Sequence, residues 1–232
     1  MAQVIAPRRR SLTLTAAEFA LLRDAVNAAE RSGERLHTGW WALTGAPGSG
    51  KTTLVDEFNA MRWPTVEDGG RAEMARAAAA ANPRESAAAY LEFQKRVLSR
   101  GQSALAALDP AGPAVFDYGF ADALAFMKID GIPWTALFVA AAAAVKFAQV
   151  FLIEPLAAQI DAPVDRLRIH SPAECSALND LMSALYETLG QAPIRVPAMP
   201  VRARLERILG FQHRATAVDL LHRIGSLDQR KS

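Results

Sequence analysis

The chain has 232 residues, 51% hydrophobic and 22% charged, with a formal net charge of +2. That is enough apolar sequence for one well-packed core and excludes a disordered or collagen-like chain, while the near balance of charge gives no electrostatic footprint for nucleic acid or anionic lipid. A single cysteine, Cys175, rules out an internal disulfide, and His37, His170, His213 and His222 lack metal-ligand spacing, so no metal cluster is expected and a reducing cytoplasm is the expected setting.

Met1 to Arg10 carries no apolar stretch of signal-peptide length, and Arg8, Arg9 and Arg10 read as a basic arm. Thr15 and Glu18 have the capping-box spacing ahead of Phe19, Leu22 and Val26, which predicts an N-terminal helix ending at Gly33. Trp40 to Leu43 reads as a buried strand that runs into a glycine-rich loop, and a helix is expected from Lys51 to about Met61. Trp63 to Val66 suggests a second strand, followed by an alanine-rich helix that includes Ala77 to Ala81. Asn82 as N-cap, Pro83 at N1 and Glu85 at N3 predict a long helix reaching Leu108.

Ala114 to Phe116 makes a third strand, and helices are expected over Phe120 to Lys128 and Trp134 to Lys146. The apolar run around Ala136 to Val145 is shorter than the roughly 18 residues a membrane span needs, so it reads as a buried helix before a fourth strand at Val150 to Ile153. Ser171, Pro172 and Glu174 repeat the cap signature and open a helix to Leu189. Pro193 to Val196 is a fifth strand, with helices over Val201 to Leu209 and Ala215 to Ile224. Alternating strands and helices predict an α/β fold with a five-stranded parallel sheet in three layers. The expected division is a helical extension over 1–37, a nucleotide-binding domain over 38–210, and a C-terminal helix and tail over 211–232.

Gly45-Ala46-Pro47-Gly48-Ser49-Gly50-Lys51-Thr52 fits the P-loop pattern, with Thr53 next in the helix. Its glycines let successive backbone N–H groups turn towards phosphate oxygens, and the following helix adds its positive end. With 5 lysines and 14 glycines in the chain, the pattern is expected by chance only on the order of 0.002 times, so a polyphosphate site outweighs an incidental turn. Lys51 would reach the outer phosphates of ATP, with GTP also possible, and the Thr52 hydroxyl would ligate Mg²⁺. Asp117, at the end of the third strand, is placed to hold Mg²⁺ through water or to cap the segment after Gly119. The third strand lacks the Asp-Glu pair usual in motor ATPases, and there is no Asn-Lys-x-Asp segment of the kind that holds guanine.

Several further segments occur in order: Glu67-Asp68-Gly69-Gly70-Arg71, Phe93-Gln94, Asp117 with Asp122, Val150 to Ile153, Asp165-Arg166-Leu167-Arg168, and Val196-Pro197 with Arg204. With the P-loop, they resemble the NadR/Ttd-type AAA domain family, which includes nicotinamide riboside kinase domains, over about Trp40 to Leu209. The resemblance implies a nucleotide-kinase-like core in which Asp68, or else Glu67, accepts a proton from an attacking hydroxyl. It also implies that Arg71, Asp122 and Gln94 face the acceptor and that Arg166 and Arg168 meet γ-phosphate charge from a lid. Ordinary surface or core roles are the alternatives for each. Tyr118 stands where family members often carry arginine.

Two functions follow as expectations. One is a Mg²⁺-dependent, ATP-using phosphotransferase or ATPase acting on a small hydroxyl acceptor. The other is a nucleotide-dependent binding module, with a protein partner and little turnover.

Overall fold

The computed structural model describes residues 12–78, 86–156 and 171–211. The chain divides into two units at Ala198. The first holds seven helices and seven strands among its described residues, and the second contributes a helix over 201–211.

In the first unit the helices are α1 (Ala16–Ser32), α2 (Lys51–Ala60), α3 (Gly69–Ala78), α4 (Ala87–Leu105), α5 (Asp122–Ile129), α6 (Ala136–Ala144) and α7 (Pro172–Thr188). The strands are β1 (Leu36–His37), β2 (Trp41–Thr44), β3 (Thr65–Val66), β4 (Val115–Phe116), β5 (Val145–Lys146), β6 (Gln149–Ile153) and β7 (Ile194–Val196). Five form a parallel sheet in the order β3-β4-β2-β6-β7, with helices flanking it. This is the α/β architecture expected from the alternation of elements.

β2 occupies the centre because all four of its residues are apolar or satisfied internally and all are buried. Successive side chains alternate between faces. Trp41 meets Phe58 of α2 and Phe151 of β6, with ring centroids 6.2 and 5.4 Å away. Thr44 points to the opposite face, where its hydroxyl donates to Asp122 of α5. The sheet is therefore packed on both sides, as all-parallel sheets require.

Local side chains set most helix ends. Thr15 and Ser171 each complete a capping box, with Glu18 and Glu174, and α1 stops on Gly33 in the left-handed region at φ 72°. Glu18 also pairs with Lys128 of α5 at 2.7 Å.

The structure corrects four local readings. Ser86, extended at φ −151°, caps α4, and the helix ends at Leu105, so the start expected from Asn82 does not hold. Asn82 itself, with Ala79 to Glu85, lies outside the described residues, as do Arg8 to Arg10 and Ala215 to Ile224. The helix expected to reach Lys146 stops at Ala144, because Val145–Lys146 pairs in parallel with Leu36–His37 as a separate two-stranded sheet. Phe19, expected on the buried face of α1, is 43% exposed under the Arg23 guanidinium, and Leu22 alone is fully buried there. Among the described residues no helix is long and apolar enough to cross a membrane.

Candidate functional site

β2 ends at Thr44, and the chain turns at once through Gly45, Gly48 and Gly50, with φ of 138, 80 and 88°. These values belong to the region only glycine enters readily. At Gly45 a Cβ would also run into the Ile153 carbonyl of β6. Gly50 leads directly into α2, whose first turn has no side-chain cap. Its N-terminal amides are thus left for an anion, and the helix dipole points the same way.

The Lys51 ammonium folds back over the loop, donating to the Gly45 carbonyl at 2.6 Å and the Ala46 carbonyl at 3.1 Å. Thr52 donates its hydroxyl to Asp117 Oδ2 at 2.7 Å. Asp117 follows β4, the neighbour of β2, and is 2% exposed. Its Oδ1 is buried with no hydrogen-bond partner among the described residues. Burial pushes its carboxyl up to about 6, opposed by the Lys51 charge and the Thr52 bond and reinforced by Asp68.

These groups open on a cavity of about 370 Å³. Asp68 also lines it, with Oδ1 accepting from the Gly70 N–H at 2.7 Å. Burial raises its carboxyl above the ordinary range, and the Gly70 bond and the charges of Lys51 and Arg71 hold it back. Arg71 lines the same cavity from α3. That helix is fixed to α4 by Glu73, which is 3% exposed and pairs with Arg100 at 2.8 Å and Arg96 at 3.1 Å. The Glu73 carboxylate is thus bonded twice, to guanidinium groups that remain about half exposed.

The remaining wall is apolar. Tyr90 and Phe93 of α4 stack with centroids 5.9 Å apart, and Tyr118 stacks on Phe126 of α5 at 6.3 Å. Gln94 lies among them, 3% exposed. Its Nε2 donates to the Tyr90 hydroxyl at 2.8 Å, and its Oε1 is buried without a partner among the described residues. The Tyr118 hydroxyl is pushed well above its usual range by burial and by nearby Asp122, Asp68 and Tyr90.

The structure thus gathers Lys51, Thr52, Thr53, Asp68, Arg71, Gln94 and Asp117 around one cavity with the loop glycines Gly45, Gly48 and Gly50 and with Pro47. Glu67, the alternative to Asp68, is exposed. Ala46 and Ser49 are fully buried within the loop. Asp122 does not line the cavity: it is 1% exposed and accepts from Thr44 and Tyr186 at 2.7 and 2.9 Å on Oδ1 and from the Gly119 N–H at 3.3 Å on Oδ2. The acceptor-facing position expected for it gives way to a place behind the loop. Arg166 and Arg168 lie outside the described residues, and Arg204 lies on the 201–211 helix of the second unit.

Sequence reasoning missed Asn179 of α7, whose Oδ1 accepts from the Ala46 N–H at 2.6 Å. A polar residue on an otherwise buried helix face was the available signal. Tyr90 and Phe126 were also missed, because an aromatic on an amphipathic helix reads as core.

A family model described as an AAA domain matches residues 40–204. No curated protein matches the sequence. Among solved structures, the chain is similar to a deoxyadenosine kinase from M. mycoides with bound dATP. The two are 14% identical, with a TM-score of 0.55 over 75% of this chain and 98% of that one. At that identity the likeness is one of fold.

Proposed function

We propose that this chain, which belongs to the AAA domain family, binds a nucleoside triphosphate on its glycine-rich loop and transfers the γ-phosphoryl group to a small hydroxyl acceptor in the adjoining cavity. One observation carries the reading: Lys51, Thr52 and Asp117 line a single cavity together with Asp68, which comes from outside the loop. A phosphate-binding loop alone would serve any nucleotide protein, whereas a further carboxylate lining the same cavity suits an acceptor.

The residues fit a divalent cation. Asp117 keeps a buried oxygen without a partner among the described residues, beside the Thr52 hydroxyl, and hard cations take oxygen ligands of this kind. Thr52 and Asp117 would hold Mg²⁺, which when bound neutralises charge on the phosphate oxygens.

The chain's own groups then divide the work. The loop amides and the start of α2 cradle the phosphates, and Lys51 exchanges its loop carbonyls for a phosphate oxygen. Asp68 accepts the acceptor's hydroxyl proton as that oxygen attacks the γ-phosphorus. The bond from phosphorus to the bridging oxygen breaks, and the nucleoside diphosphate leaves. A carboxyl raised above its ordinary range is a better match for this proton transfer near neutral pH. Arg71 offers a cation to the transferring group or the acceptor. Tyr90, Phe93 and Phe126 suit a flat or apolar acceptor body. The free Oε1 of Gln94 suits a hydrogen-bond donor on its edge.

A second reading, a nucleotide-dependent binding module with little turnover, is favoured by Tyr118, which puts a neutral, stacked ring where related kinases often carry arginine. The test is titration of purified protein with ATP and GTP in Mg²⁺, followed by ADP release against a panel of nucleosides and other small alcohols. Wild type should bind a nucleotide, and Lys51→Ala should weaken binding at least about tenfold, since a charge-assisted phosphate contact contributes about 1.5–3 kcal/mol. Stimulation of ADP release by one acceptor supports transfer, and slow release unaffected by every acceptor supports the binding module. If wild type binds neither nucleotide, both readings fail.

A further inference from the structure

One face of α7 runs along the back of the phosphate loop. Cys175, Asn179, Met182 and Tyr186 follow one another at intervals of four, three and four residues, which places them on a single helical stripe. They meet the chain in reverse order. Cys175 Sγ lies 3.9 Å from the Pro47 carbonyl, and Asn179 Oδ1 accepts from the Ala46 N–H. Met182 Sδ is 3.4 Å from the Thr44 hydroxyl, and Tyr186 donates to Asp122, which holds that same hydroxyl.

The Asn179 contact differs in kind from the rest. The Gly45 carbonyl and the Ala46 N–H belong to one peptide plane. Its carbonyl receives Lys51 Nζ at 2.6 Å, and its N–H donates to Asn179 at 2.6 Å. A peptide held at both ends cannot rotate without losing both bonds, one of them buried. Asn179 is itself anchored, since its Nδ2 donates to the Ile153 carbonyl at 3.4 Å. Ile153 is the residue that leaves no room for a side chain at Gly45. With the Asn179 acceptor gone, nothing on the α7 side would distinguish this peptide orientation from its flipped alternative, in which the Lys51 ammonium faces an N–H.

We propose that Asn179 is a positioning residue that fixes the Gly45–Ala46 peptide plane and so holds the loop in the arrangement that receives a triphosphate, with Lys51 resting on the Gly45 carbonyl until a phosphate oxygen takes its place. The proposal rests on the phosphate-binding reading of the loop, and it predicts that polyphosphate affinity depends on a helix that touches no phosphate.

The test is calorimetric titration of the full chain with Mg²⁺-ATP and with inorganic tripolyphosphate, which reads affinity and stoichiometry separately. Asn179→Leu should raise Kd for both at least about tenfold with stoichiometry unchanged. A purely structural role would lower the binding-competent fraction and leave Kd where it was, and that result overturns the proposal. Should the leucine variant fail to fold, Asn179→Ser is read in the same way. Amide exchange of nucleotide-free wild type is a further measurement: the Ala46 N–H should exchange far more slowly than an exposed loop amide, and exchange at the exposed rate overturns the proposal. If wild type binds neither probe, the phosphate-binding reading falls and the proposal with it. If wild type binds and both variants bind equally well, the proposal falls alone.

Discussion

Asp122 gives the sharpest pH prediction. It is 1% exposed, and burial pushes its carboxyl from the ordinary 3.8 up to about 6, although Thr44, Tyr186 and the Gly119 N–H all donate to it and Lys51 adds a favourable charge. A carboxyl raised on folding binds its proton more tightly in the folded protein than in the unfolded chain. Its stabilising contribution is therefore complete below about pH 4 and is lost as pH rises through about pH 6. The interval from 3.8 to about 6 corresponds to about 3 kcal/mol for one carboxylate. Asp122→Asn removes that titration, keeps an acceptor oxygen for Thr44 and Tyr186, and loses the 3.3 Å bond from the Gly119 N–H, which an amide NH2 cannot accept. Asp117 titrates in the same window, so the informative quantity is the difference between variant and wild type. Urea unfolding at several pH values should show wild-type stability falling relative to the variant by about 2–3 kcal/mol between about pH 4 and about pH 7. Parallel stability profiles would refute the assignment of a raised carboxyl at this position.

Two other substitutions test neighbouring contacts. Thr52→Val deletes the hydroxyl that meets Asp117 at 2.7 Å; nucleotide affinity should fall at least about tenfold in Mg²⁺ and change little in chelator, given that the hydroxyl serves the cation. Equal losses in both conditions would instead assign the hydroxyl to the loop's own structure. Gly119→Ala places a Cβ on the Tyr186 hydroxyl and should cost about 1–3 kcal/mol by denaturant unfolding. Adding Tyr186→Phe should recover part of that loss, because it removes the overlapping oxygen.

The parts of this fold that were legible in the sequence are those fixed by near neighbours. Thr15 with Glu18 and Ser171 with Glu174 settle two helix starts within four residues, and the loop from Gly45 to Thr52 carries its own glycines, lysine and hydroxyl. Central strands were legible because burial on both faces makes them continuous apolar runs. The two-residue strands β3 and β4 were read from the sequence as well, but the pair outside the main sheet was not. Leu36–His37 and Val145–Lys146 exist as strands only because they find each other across more than a hundred residues. The start of α4 was misread for a different reason: Asn82-Pro83 and Ser86 both satisfy the local capping rules, and nothing nearby ranks them. The α7 stripe lies further out of reach, since Asn179 meets Ala46 across 133 positions.

Asp117 and Asp122 show why site residues are harder than folds. Both follow the same strand, five residues apart, and burial raises both to about 6. Their environments part at the hydrogen-bond donors. Asp122 sits in the first turn of α5, where Thr44, Tyr186 and Gly119 occupy its oxygens, so its charge is used to tie α5, β2 and α7 together. Asp117 ends on the cavity with one donor, Thr52, and an oxygen without a partner among the described residues, and Asp68, which lines the same cavity, adds a second carboxylate that raises it further. A buried Asp117 raised further by the Asp68 charge, with Lys51 and Arg71 as the cations that counter it, favours a ligand that brings positive charge to the aspartate and negative charge to the lysine at once. A triphosphate chelating a divalent cation has that distribution, whereas a free phosphate supplies only half of it. The electrostatics of the cavity and the geometry of the loop therefore both support the proposed ligand, a triphosphate with its divalent cation.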